Sequence, residues 1–114
     1  MLLCAMSDPL IRIKRLLLSG RYVFSFKAEL ELLGDDLMAS DVVEAIVNAP
    51  AISKTLRSRS AARSDARERL YVIMGTTYDG VLIYTKGTIR RVQGDNTYYL
   101  LVSSKRWTPE GRDA

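Results

Sequence analysis

Leu70-Tyr-Val-Ile-Met-Gly-Thr-Thr-Tyr-Asp-Gly-Val-Leu-Ile-Tyr-Thr-Lys86 decides how this chain folds. β-Branched and aromatic residues crowd both arms of the stretch, which suits a pleated, half-buried surface. Between the arms, Tyr78-Asp-Gly80 signals a hairpin, because Asp-Gly supplies the positive φ angles that tight hairpins need. The pattern predicts one strand over 70–75 and another over 81–92, bent near Gly87. Downstream, Gln93-Gly-Asp-Asn96 reads as a further turn and Thr97-Tyr-Tyr-Leu-Leu-Val-Ser103 as the last strand. Upstream, Ile52-Ser-Lys-Thr-Leu-Arg-Ser-Arg59 alternates in places and reads as a strand with Lys54 on one face, dissolving into a polar, arginine-rich loop.

The first half of the chain is helical. Ser7-Asp-Pro-Leu10 is a helix start, with Ser7 as cap, Asp8 favouring the positive helix end and Pro9 in the first turn. Leu10, Ile13, Leu16 and Leu17 follow at helical spacing, Arg12, Lys14 and Arg15 fall away from that stripe, and Gly20 supplies the stop. Tyr22-Val-Phe-Ser-Phe26 reads as a short strand or extended entry to a short helix over 27–33, broken by Gly34-Asp-Asp36. A further helix starts near Ser40 or Asp41, turns Val43, Ile46 and Val47 inward, and ends before Pro50. Helices followed by a strand meander define an α+β domain, with the N-terminal helices packed on one face of a small C-terminal antiparallel sheet. The other face is then free to bind.

With 114 residues, 47% of them hydrophobic, the chain is one domain over 1–114, with 1–6 and 107–114 as loose ends apart from Trp107, which has reason to pack back on the sheet. No apolar run approaches the roughly 18 residues of a membrane span, and Met1-Leu-Leu-Cys-Ala-Met6 lacks the leading basic residues of a secretory signal. A lone cysteine, Cys4, excludes an internal disulfide, and the absence of histidine removes the commonest zinc ligand and the usual general base. These features point to a cytoplasmic protein without cofactor, structural metal or membrane attachment.

Charge is segregated along the chain. Residues 1–21 carry +3, residues 22–50 carry −5 and residues 51–114 carry +6, for a net charge of +4. Basic residues gather in Arg57-Ser-Arg-Ser-Ala-Ala-Arg-Ser-Asp-Ala-Arg-Glu-Arg69 and at the strand ends Lys86 and Lys105-Arg106. Cations beside an antiparallel sheet suit a polyanion, and RNA is the leading reading. The plainer one is a solvated surface whose opposite charges pair locally.

The segments Ile11-Arg-Ile-Lys-Arg-Leu-Leu-Leu-Ser-Gly20, Ala51-Ile-Ser-Lys-Thr-Leu56, Ile83-Tyr-Thr-Lys86 and Leu101-Val-Ser-Ser-Lys105 stand in an order that resembles the MqsR-like branch of the RelE/ParE toxin superfamily and related small domains of unassigned function. The resemblance implies a toxin-type, ribosome-independent mRNA endonuclease, or mRNA interferase, neutralised by a cognate antitoxin protein. It implies that Lys54, Tyr84 and Lys105 are the active-site lysine, strand tyrosine and final-strand lysine. The family's catalytic glutamine has no counterpart, since the only glutamine, Gln93, stands in a predicted turn; Arg67 or Arg69 takes that region.

The chemistry is consistent with that cast. Metal-independent RNA cleavage needs a base for the 2′-hydroxyl, cations for the charged phosphorane and an acid for the leaving oxygen. Lysine or tyrosine contributes where neighbouring charge lowers its pKa. Arg57, Arg59, Arg67, Arg69, Lys86 and Arg106 are the candidate RNA-binding cations around Lys54, Tyr84 and Lys105. Glu68, the other conceivable base, stands among arginines and reads as an ion-pair partner. The plainer readings are a solvated Lys54, a Tyr84 packed across strands, a Lys105-Arg106 that only ends a strand, and a linker in the arginine-rich stretch. A non-catalytic RNA- or protein-binding module of the same fold is the alternative function. In either case an exposed strand edge, with 97–103 the candidate, can accept an antitoxin or a second copy, making a homo-oligomer.

Overall fold

A computed structural model of the protein describes residues 8–57, 68–92, 94 and 96–108. Among these residues the order is α1 (Asp8–Leu18), β1 (Tyr22–Phe24), α2 (Phe26–Gly34), α3 (Ala39–Asn48), β2 (Lys54–Arg57), β3 (Arg69–Thr76), β4 (Leu82–Val92) and β5 (Asn96–Arg106). Ser7, Cys4, residues 58–67, Gln93 and residues 109–114 lie outside the described residues. No helix of the described residues is long and apolar enough to cross a membrane.

The architecture is α+β, with three helices and a five-stranded sheet of order β1-β5-β4-β3-β2. The sheet is mixed, which corrects the all-antiparallel expectation. β2, β3, β4 and β5 form the antiparallel meander, whereas β1 lies parallel to β5 with Tyr22 opposite Tyr99 and Phe24 opposite Leu101. Within the extended entry at 22–26, Tyr22–Phe24 becomes a strand because its partner arrives from the far end of the chain, while Ser25 and Phe26 already open α2. Tyr99 N–H donates to the Arg21 carbonyl at 3.1 Å and Ser25 N–H to the Leu101 carbonyl at 2.9 Å. The same pairing corrects the exposed-edge expectation for 97–103: β5 is an inner strand, and the sheet edges are β1 and β2.

The turns follow local chemistry. Gly20 (φ 77°) ends α1, with Gly20 N–H on the Leu17 carbonyl and Arg21 N–H on the Leu16 carbonyl. Ser25 caps α2: its hydroxyl oxygen accepts from Ala28 N–H at 3.0 Å and its hydroxyl reaches the Val102 carbonyl at 3.2 Å. At the other end Asp36 takes φ 59°, with Leu37 N–H closing on the Leu32 carbonyl. Thr77 N–H closes the β3–β4 hairpin on the Val81 carbonyl, and Gly80 takes φ 88°.

One sheet face carries the core. Leu10, Ile13 and Leu17 of α1 and Val42, Ala45 and Ile46 of α3 pack with Ile73, Ile83, Tyr99 and Leu101. α3 approaches β3 so closely that a Cβ on Gly75 would collide with the Ala45 carbonyl, and a Cβ on Gly87 would meet the Tyr99 ring at 2.7 Å. Lys14 of α1 ties the end of α3 to this layer through a 2.7 Å bond from its ammonium to the Ala49 carbonyl.

α2 runs along the part of β5 that β1 does not reach. There the strand's outward N–H groups need other acceptors. Glu31 Oε1 accepts from Ser104 N–H at 2.9 Å and from the Ser103 hydroxyl at 2.8 Å, and Asp35 Oδ2 accepts from Arg106 N–H at 2.7 Å. Burial works to raise the Glu31 pKa. The bonds from Ser104 and Ser103 and the charges of Lys27 and Lys105 outweigh it, holding the carboxyl below its ordinary range.

Two stability measurements follow. Gly75→Ala is expected to cost about 3 kcal/mol in chemical unfolding, as forced overpacking does, whereas Gly34→Ala, where an added Cβ meets nothing within 4 Å, is expected to be neutral or stabilising by up to about 1 kcal/mol. Glu31→Gln is expected to cost about 1 kcal/mol at pH 7 through weakened charge-assisted bonds. Because the folded-state pKa is depressed, that difference is full above the ordinary value of 4.5 and shrinks as pH falls below it. An undiminished difference in acid would show that the Glu31 charge contributes nothing.

Candidate functional site

Strand register puts Lys54, Tyr84 and Lys105 on the sheet face turned away from α1 and α3. Lys54 is opposite Val72, Val72 opposite Lys86, and Lys86 opposite Ser103, so these four form one row across β2, β3, β4 and β5. The next row is Met74, Tyr84 and Lys105. Tyr84 and Lys86 are two residues apart on β4, half-buried, and share this face, which is open in that neither α1 nor α3 packs on it, although Val72 and Ser103 beside them are buried.

Tyr84 and Lys105 meet. The Lys105 ammonium lies 5.5 Å from the Tyr84 ring centroid, within cation–π range. Trp107 returns to the sheet as expected, its backbone N–H donating to the Leu82 carbonyl at 3.0 Å, and stacks its ring on Tyr84 with centroids 5.6 Å apart and planes inclined by 25°. Partial burial, then the nearby Glu31 charge, raise the Tyr84 pKa. The phenol therefore stays protonated at neutral pH and can donate a hydrogen bond or a proton, but does not serve as a base.

Lys54 stands apart from this pair. It is exposed on edge strand β2, three strand spacings from β5, or about 14 Å of sheet width at the usual interstrand distance. Arg106 faces the other way from Lys105, its backbone N–H and its guanidinium both on Asp35, the latter at 3.2 Å. Arg57 and Arg69 are opposite each other on the helix-bearing face. Arg59 and Arg67 lie outside the described residues. Glu68 is the ion-pair partner its surroundings suggested, holding Arg90 through Nε at 3.1 Å and Nη2 at 2.7 Å.

Glu31 is the residue of this site that sequence reasoning does not single out. Its charge is felt at Tyr84, and Lys105 in turn stabilises it. A carboxylate already held by two hydrogen bonds and a lowered pKa is a weak base. The cluster thus holds a proton donor, a cation and a stacked aromatic pair, with no strong base among its described members.

No protein-family model, curated protein or solved structure matches the chain.

Proposed function

We propose that the protein binds single-stranded RNA on the open face of its sheet. The observation that carries this reading is the Tyr84–Trp107 stack with Lys105 against it, beside the Lys54–Lys86 row. Stacked aromatics offer a sequence-tolerant platform for bases, and ammonium groups along the same face take the phosphates. Lysine supplies point charges, so the binding depends on the backbone of the nucleic acid more than on its sequence.

A second reading is favoured by one specific feature, the protonated Tyr84 phenol beside the Lys105 ammonium. In a metal-independent endoribonuclease the 2′-oxygen would attack the phosphorus and lose its proton to solvent, the P–O5′ bond would break with that phenol protonating the leaving 5′-oxygen, and Lys105 would stabilise the phosphorane. Membership of the MqsR-like branch of the RelE/ParE superfamily, a toxin role and a cognate antitoxin belong to this second reading. The α+β architecture is compatible with it.

Fluorescence anisotropy with a labelled single-stranded RNA, in the presence of chelator, separates the two. Binding is expected to weaken with salt at a log–log slope of about −2, as for three phosphate contacts. Tyr84→Ala and Trp107→Ala are each expected to weaken it about tenfold, the lower part of the range for base–aromatic stacking. Absence of binding, or binding indifferent to both substitutions, sinks the proposal. Cleavage by the wild type and not by a folded Lys105→Ala variant moves the assignment to the nuclease.

A further inference from the structure

Beyond the open face, the helix-bearing side of the sheet carries a cleft that none of the foregoing uses. It lies between α1 and the strands β3, β4 and β5, where Arg12 of α1, Arg69 and Tyr71 of β3, Ile89 and Arg91 of β4 and Thr97 of β5 line a hollow of about 360 Å³. Arg12 and Thr97 also line a second hollow of about 340 Å³, where Arg15 and Arg21 join them. Arg57 faces Arg69 across the β2–β3 pair.

Three observations point to the occupant. Five guanidinium groups gather around two adjoining hollows, and none of them has an ion-pair partner among the described residues. Two arginines directly opposite on neighbouring strands repel each other, so the surface is preset for an anion. The first hollow falls within the size range of small-molecule sites and has an aromatic and an aliphatic wall, Tyr71 and Ile89. A bare inorganic anion needs neither the space nor the apolar wall, whereas a nucleotide uses both.

We propose that this cleft is a nucleotide-phosphate site. A phosphate is held between Arg12, Arg69 and Arg91, the base lies against Tyr71 and Ile89, and the Arg15–Arg21 hollow takes the next phosphate when the nucleotide belongs to a chain. The planar guanidinium fork matches phosphate oxygens bidentately, which the lysines of the open face do not. The two surfaces are thus chemically distinct, and this proposal stands or falls independently of the one above.

The test is an amide NMR titration of the full chain with adenosine 5′-monophosphate, with adenosine, and with a 5′-hydroxyl RNA hexanucleotide. The monophosphate is expected to shift the Tyr71, Ile89 and Arg91 amides, with adenosine inert at the same concentration. Arg12→Gln and Arg91→Gln are each expected to weaken that response about tenfold, and Lys27→Gln, an equal charge change on α2, to leave it intact. Saturation by the monophosphate identifies a free or terminal nucleotide as the ligand; cleft shifts with the hexanucleotide alone identify chain phosphates. The proposal is overturned if neither phosphate-bearing ligand moves the cleft amides, if adenosine does so equally, or if Lys27→Gln weakens binding as much as the arginine variants. Shifts at Tyr84, Lys105 and Trp107 report the other face separately.

Discussion

Two carboxylates, Glu31 on α2 and Asp35 at its C-terminal cap, hold this structure together where its sheet would otherwise be open. β1 is three residues long and leaves the last residues of β5 without a strand on the side away from β4; Glu31 and Asp35 fill in for the missing strand. The substitution works by a coincidence of periods. Four residues of helix rise about 6 Å, and two residues of strand about 6.7 Å. Carboxylates at positions 31 and 35 therefore meet consecutive outward N–H groups at 104 and 106. The arrangement blocks edge-to-edge pairing and fixes α2 beside β5. It also anchors the strand end from which Lys105 and Trp107 reach Tyr84.

The same economy explains how the charge segregation of the sequence becomes a surface. Of the acidic residues between 22 and 50, Glu31, Asp35, Asp41 and Glu44 each accept a backbone N–H, from Ser104, Arg106, Met38 and Tyr78. Acids engaged with the backbone are not spent on ion pairs with Arg12, Arg15, Arg21, Arg69 and Arg91, which have no ion-pair partner among the described residues, whereas Arg90 is held by Glu68.

What the sequence discloses and what it conceals divide along the distance between partners. Asp79-Gly80 closing a hairpin, Gly20 ending a helix and the apolar stripe of α1 are local, and each is readable from a few neighbouring residues. The sharing of one face by Tyr84 and Lys105 follows from register. The parallel pairing of β1 is concealed because three residues carry little pattern and their partner lies more than seventy positions away. For the same reason Glu31 looks like any helical glutamate, and Arg12 and Arg91 look like surface charges. The cleft exists only when α1 is laid beside β3, β4 and β5. The expectation that all the cations converge on one sheet end fails on alternation: Arg57 and Arg69 have the opposite parity to Lys54 and Lys86.

The register shift between β4 and β5 at Lys86/Gly87 has a consequence for which chemistry the molecule shows to its surroundings. Tyr99 and Leu101 point into the core, so uninterrupted alternation would send positions 103 and 105 inward as well. The shift inserts Val102 as one extra residue, Lys86 pairing with Ser103 and Gly87 with Leu101. From there on the strand's phase is inverted: the small, buried Ser104 takes the inward place and Lys105 the outward one. A single residue of slack in the backbone is what converts a cation destined for the hydrophobic interior into one carried on the outer face of the sheet. The chemistry of that face and the integrity of the core are thereby set by the same irregularity, and neither can be altered at that point without the other.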